Sequence, residues 1–195
     1  MVAMAVTVAG HTSLAGAEVQ LLVLGGGRRW CAAIHLGTGA LVSARWSEPS
    51  DPPLAPFTLA RGLMAPDQGG ADPIRPEDVA LAVPPEPVGR TSRRRAERWL
   101  RPVLHPDREH LLGFPGPAVP YWTLSGARPS LAVVAPLGEV RVARGQCRFR
   151  WRNVEHALPV LPQALDTVPH RPRRLVVTLS PPRDGHCYKL VAALL

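Results

Sequence analysis

The chain has 195 residues, 46% of them apolar and 19% charged, and a net charge of +8. That length can bury a core without disulfide or metal staples, and the composition excludes a disordered chain. No apolar run reaches the roughly eighteen residues of a transmembrane helix. Proline is abundant at 23 residues, and the basic side chains are 22 Arg and a single Lys, Lys189.

Residues 1–10 are apolar, and Ala15-Gly16-Ala17 has the small-x-small form of a cleavage site. No Lys or Arg precedes that run, and Arg28 is the first positive charge, so the positive start of a secretory signal is missing. The expected localisation is cytoplasmic, with an N-terminus that frays or adds a peripheral strand. Residues 18–46 read as a three-stranded meander. Short apolar runs at 20–24, 30–36 and 41–46 are separated by Gly25-Gly26-Gly27 and Gly37-Thr38-Gly39. In residues 47–89, ten of 43 positions are proline and acidic residues outnumber basic ones. Proline removes backbone donors and fixes φ, so an irregular insertion or linker is expected there.

Residues 91–104 predict an amphipathic helix capped by Thr91 or Ser92. Ala96, Trp99, Leu100, Val103 and Leu104 share one face, and Arg94, Arg98 and Arg101 share the other. Pro102 predicts a kink or an early end. A loop follows over 105–120. Hairpins are then expected from 121–124 with 130–135, from 139–143 with 147–151, and from 174–180 with 187–194, with a short helix over 161–168. The expected fold is α+β and mainly β. It is a single domain over 1–195, an antiparallel sheet or small barrel of about nine short strands with one amphipathic helix and the proline-rich insertion at 47–89.

Charge is unevenly spread: +1 over 1–50, −3 over 51–90, +8 over 91–152 and +2 over 153–195. In the strand around Phe149, alternation sends Cys147, Phe149 and Trp151 to one face and Arg148, Arg150 and Arg152 to the other. Successive Arg are then about 6.5–7 Å apart, close to the phosphate spacing of a single nucleic-acid strand. Arg141 on the partner strand extends the row. A row of like charges attracts an anionic partner. The plainer alternative is a solvated outer face whose charges block edge pairing, in a chain whose Arg-for-Lys preference matches GC-rich codons.

Other chemistry is poorly supported. Cys31, Cys147 and Cys187 form no disulfide framework and no CxxC. Cys31 and His35 are about 13 Å apart along a strand, and His186 and Cys187 point to opposite faces, so no metal or other cofactor is expected. Gly25-Gly26-Gly27 leads into a strand rather than a helix, which excludes a phosphate loop. Tyr121, Trp122, Phe149 and Trp151 suggest a stacking platform, but the pattern of their neighbours places them in the core. The leading expectation is a non-enzymatic protein that binds nucleic acid or another polyanion through Arg94, Arg98, Arg101, Arg141, Arg148, Arg150 and Arg152. A component docking an acidic protein partner is the second reading, and a small Cys/His hydrolase the third. No membrane association is expected.

Overall fold

The computed structural model describes residues 16–66, 74–124 and 128–195. Strands dominate. β1 (Glu18–Gly26), β2 (Trp30–His35) and β3 (Leu41–Arg45) form the expected meander, with β1 antiparallel to β2 and β2 to β3. β4 (Thr58–Leu63) returns along the other side of β1, and β5 (Asp78–Ala80) lies parallel to β3. Just past β5, Leu81 bridges Met64, and Ala82 N donates to Leu63 O at 2.9 Å. This closes the order β1-β2-β3-β5-β4-β1 into a small barrel. β6 (Glu86–Arg90) then runs along the outer edge of β4.

The barrel explains the unbroken apolar run of β1. Val19, Leu21 and Val23 point inward with Cys31, Ala33, Val42, Ala44, Ala60 and Leu81, while Leu22 and Leu24 point outward with Ala32 and Ile34. Both sets are buried, so alternation gives no polar face. Alanine at three interior positions suits the narrow bore. Trp46 packs in this interior, and its indole Nε1 donates to Arg28 O at 2.9 Å.

The segment 47–89, expected to be irregular, supplies β4, β5 and most of β6. Its prolines fall where they cost little. Pro84-Pro85 separates β5 from β6, and Pro87 lies in β6, every residue of which is exposed. An exposed edge strand tolerates a missing donor.

The second half is built on a four-stranded antiparallel sheet in the order β7 (Ala118–Pro120), β13 (His186–Leu194), β12 (Leu175–Leu179), β8 (Leu131–Val134). It too is buried on both faces. Leu131, Val133, Val176, Ala192 and Ala193 pack against the barrel's outer residues and against Ala96 and Leu100 of helix α1 (Arg93–Leu100). Ala132, Val134, Leu175, Val177, Leu179, Cys187 and Val191 face the other way. They meet Cys147, Phe149, Trp151 and Leu158 from a three-stranded sheet of β9 (Leu137–Ala143), β10 (Gln146–Trp151) and β11 (Val154–Pro159). A one-residue bulge at Ala192 turns two neighbouring alanines toward the barrel.

Helix α1 is capped by Ser92, whose side chain accepts from Arg95 N at 3.3 Å, and Pro102 turns its end into a short 3-10 turn. The Arg174–Glu97 ion pair at 3.1 Å and the hydrogen bond from Arg93 to Leu195 O at 2.7 Å tie it to the C-terminal end. A second short helix, α2 (Pro162–Leu165), follows β11. The expected strand at 121–124 is instead a 3-10 turn over Tyr121–Thr123. With β4, β5, β6, β7 and β11 added, the described residues hold thirteen strands rather than about nine.

Barrel and central sheet approach closely at Gly25, where a Cβ would lie 2.5 Å from the Cβ of Ala193. Gly25→Ala is therefore expected to wedge β1 from β13 and to lower unfolding stability by about 1–3 kcal/mol. Urea denaturation measures this, and an unchanged midpoint would show that the two layers do not meet there.

Candidate nucleic-acid interface

The basic hairpin forms as expected and gains a third strand. Arg144 and Gly145 join β9 to β10 with φ of 51° and 71°, and Arg152 and Asn153 join β10 to β11 with φ of 52° and 59°. Two successive left-handed residues make the tight turn whose twist matches paired strands. Cys147, Phe149 and Trp151 are buried, and Arg148 and Arg150 are exposed on the outer face with Arg141. The register sets Arg148 opposite Arg141 on one side and Ala157 on the other, and Arg150 opposite Glu155.

This outer face is a shallow concavity of about 670 Å³, lined by Arg141, Arg144, Arg148 and Arg150 and by Glu139 and Glu155. Arg141 pairs with Glu139 at 3.0 Å, with both side chains exposed, so the pair is weak. Arg144, Arg148 and Arg150 form no ion pair among the described residues. Like charges directly across a strand pair repel, so Arg141 and Arg148 gain from an anion between them.

Arg152 does not belong to this row. It sits one residue past the end of β10 in the left-handed turn, is partly buried, and holds its guanidinium 5.9 Å from the Trp151 ring. It lines a different cleft, with His105, Asp107 and Trp151. Nor do the helix arginines join the hairpin. Arg94, Arg98 and Arg101 are exposed, and Arg98 lies 3.8 Å from the Trp99 ring centroid. However, α1 packs on the barrel side of the central sheet, while β9–β11 pack on the opposite side. The expected continuous helix–hairpin surface is thus two separate basic patches.

Two histidines pack beside the buried aromatic residues of the hairpin. His156 stacks on Phe149 at 5.2 Å, and burial lowers its pKa. His105 meets Trp151 edge-on at 5.3 Å, and its Nε2 accepts from Leu112 N at 3.1 Å. Burial lowers its pKa as well. All three cysteines are buried. Burial pushes Cys31 up to about 12 and Cys147 up to about 11, away from the activated thiolate that a nucleophile requires. No group of three His, Cys, Asp or Glu gathers to hold a metal among the described residues, and no described helix is long and apolar enough to cross a membrane.

The aromatic residues divide differently from expectation. Phe149 and Trp151 are core, but Tyr121 and Trp122 are exposed, because the turn at Tyr121–Thr123 lifts them off the sheet. The barrel offers no comparable surface. Small five-stranded barrels that bind oligonucleotides use the outer face of their second and third strands. Here that face, with Ala32 and Ile34, is packed into the core shared with the central sheet. Comparison with protein-family models, curated proteins and solved structures gives no match.

Beneath the three-stranded sheet lies Lys189, buried on β13, with its ammonium donating to Phe114 O. Burial depresses its pKa to about 8 from an ordinary 10.5. The unfolded chain therefore binds this proton more tightly, and the cost of the buried charge is present below about pH 8 and relieved as pH rises toward 10.5. The raised thiols of Cys31 and Cys147 act in the opposite sense above their ordinary value of 9.0, so a difference between proteins isolates the lysine. Lys189→Met is expected to gain stability relative to the unsubstituted protein at neutral pH, and the gain should shrink as pH rises from 8 to 10.5. Urea titrations across that range test it, and a pH-independent difference would count against a charged, buried Lys189.

Proposed function

We propose that the protein binds nucleic acid through phosphate contacts on the outer face of β9–β11, with Arg141, Arg144, Arg148 and Arg150 as the contacting side chains. What carries this reading is the concavity itself: four arginines converge on one open sheet face, and among the described residues only Arg141 of the four is drawn into an ion pair. Arg148 and Arg150 alternate along a strand at about 6.5–7 Å, a spacing that suits successive phosphates of an extended strand. The contacts are to backbone phosphates, so binding depends only weakly on base sequence. Arg94, Arg98 and Arg101 form a second basic patch on the far side of the central sheet, and Arg152 serves its own turn.

Binding is expected to weaken steeply with salt. Arg148→Ala should lower affinity several-fold and reduce the slope of log affinity against log salt by about one. Arg98→Ala, on the opposite side, should leave both unchanged. Fluorescence anisotropy with labelled RNA and DNA over a salt series measures these. No binding at low salt, or equal losses from both substitutions, would overturn the assignment to the hairpin face.

A further inference from the structure

The described residues include three exposed Trp, Tyr or Phe side chains: Tyr121, Trp122 and Tyr188, exposed by 45%, 63% and 38%. They lie in one place. The rings of Tyr121 and Trp122 meet edge-on at 5.7 Å, and Trp122 meets His186 at 5.8 Å. His186 and Tyr188 are two residues apart on β13, on the face opposite buried Cys187 and Lys189, and so about 6.5–7 Å from each other. None of these contacts is a parallel stack: the ring planes cross at 82° and 65°. Apolar ring surface of this size left open in one cluster is unusual unless something covers it.

Tyr188 of this cluster lines a groove that reaches the basic concavity. The groove, of about 740 Å³, runs beside Tyr188 and Arg183 and is walled by Gln146, Ala157 and Pro159 of the three-stranded sheet. Gln146 also lines the arginine concavity, and Ala157 is the register partner of Arg148. His186 and Tyr188 point to the side of β13 away from β9–β11, and the phosphate-binding and ring-presenting surfaces meet through the groove beside Tyr188, at Gln146. A single-stranded nucleic acid needs both: a positive track for its backbone and flat apolar faces for bases with no partner strand. A duplex keeps its bases stacked internally and has no use for the second surface.

We infer that the nucleic acid bound here is single-stranded, and that Tyr188 and Trp122 stack its bases while Arg148 and Arg150 hold its phosphates. This rests on the proposed phosphate-binding face and adds the class of strand. It assigns Trp122 a ligand-contacting role, and among the five Trp of the chain Trp122 alone is exposed.

The experiment compares three probes on the full chain: an oligothymidylate, a DNA duplex of the same length, and heparin, which carries anionic groups and no bases. The oligothymidylate should bind more tightly than the duplex and quench tryptophan fluorescence, and Trp122→Phe should abolish most of that quenching. Tyr188→Ala and Trp122→Ala should each weaken oligothymidylate binding at least about fivefold and leave heparin binding unchanged. Arg148→Ala should weaken both. Thermal melting of each variant checks that the fold is intact, and Tyr188→Phe, which keeps the ring, should restore binding. If the aromatic variants bind oligothymidylate like the unsubstituted protein, or the duplex binds as tightly, the stacking inference fails while the phosphate-binding face stands. If none of the three probes binds at low salt, both fail together.

Discussion

The structure depends on the burial of one sheet from both sides. β8, β12 and β13 carry apolar side chains above and below, and each set has its own partner: the barrel with α1 on one side, β9–β11 on the other. At about 25 cal/mol per Å² of apolar surface, covering both faces is what offsets the entropy of ordering so many short strands. Everything else is placed by that requirement. The bulge at Ala192 and the missing side chain at Gly25 let the barrel settle against β13, and the inward row Cys147, Phe149 and Trp151 holds the three-stranded sheet on the other face.

This packing also sorts the charge. A helix or sheet that gives one face to a core leaves the other face free, and the arginines occupy those free faces. Because α1 and β9–β11 cover opposite faces of the same sheet, their free faces point away from one another. One compositional excess thus becomes two electrostatic surfaces. The surface on β9–β11 is concave, and a concave basic surface focuses its field more than a convex one does.

The legible parts of the fold were those where burial is one-sided or glycine marks the turns. The β1–β3 meander and the alternation of β10 follow that rule, and α1 shows the matching helical period with a Ser92 cap. β4 and β6 were hidden because proline was weighed over a whole segment, while its actual positions were loops and an exposed edge. β11 was hidden because its burial pattern, with His156 only half covered and Val154 exposed, lacks a clean alternation. A period of two carried past Trp151 puts Arg152 in the arginine row, and only Asn153 in the sequence signals the left-handed turn that removes it. The pattern of neighbouring residues places Tyr121 and Trp122 in the core, and the 3-10 turn at Tyr121–Thr123 exposes them instead.

The barrel's outward residues Leu22, Leu24, Ala32 and Ile34 and most of both faces of the central sheet are consumed by packing, which leaves little of them for a ligand. The open surfaces include the outside of β9–β11 and the strip along β13 where Tyr188 and Trp122 stand. The same core that buries Phe149 and Trp151 fixes Arg148 and Arg150 on the reverse of the strand, and the same strand that buries Cys187 and Lys189 turns His186 and Tyr188 outward. The two surfaces are rigid because their undersides are core, and rigid presentation keeps down the entropy that any partner must overcome in binding.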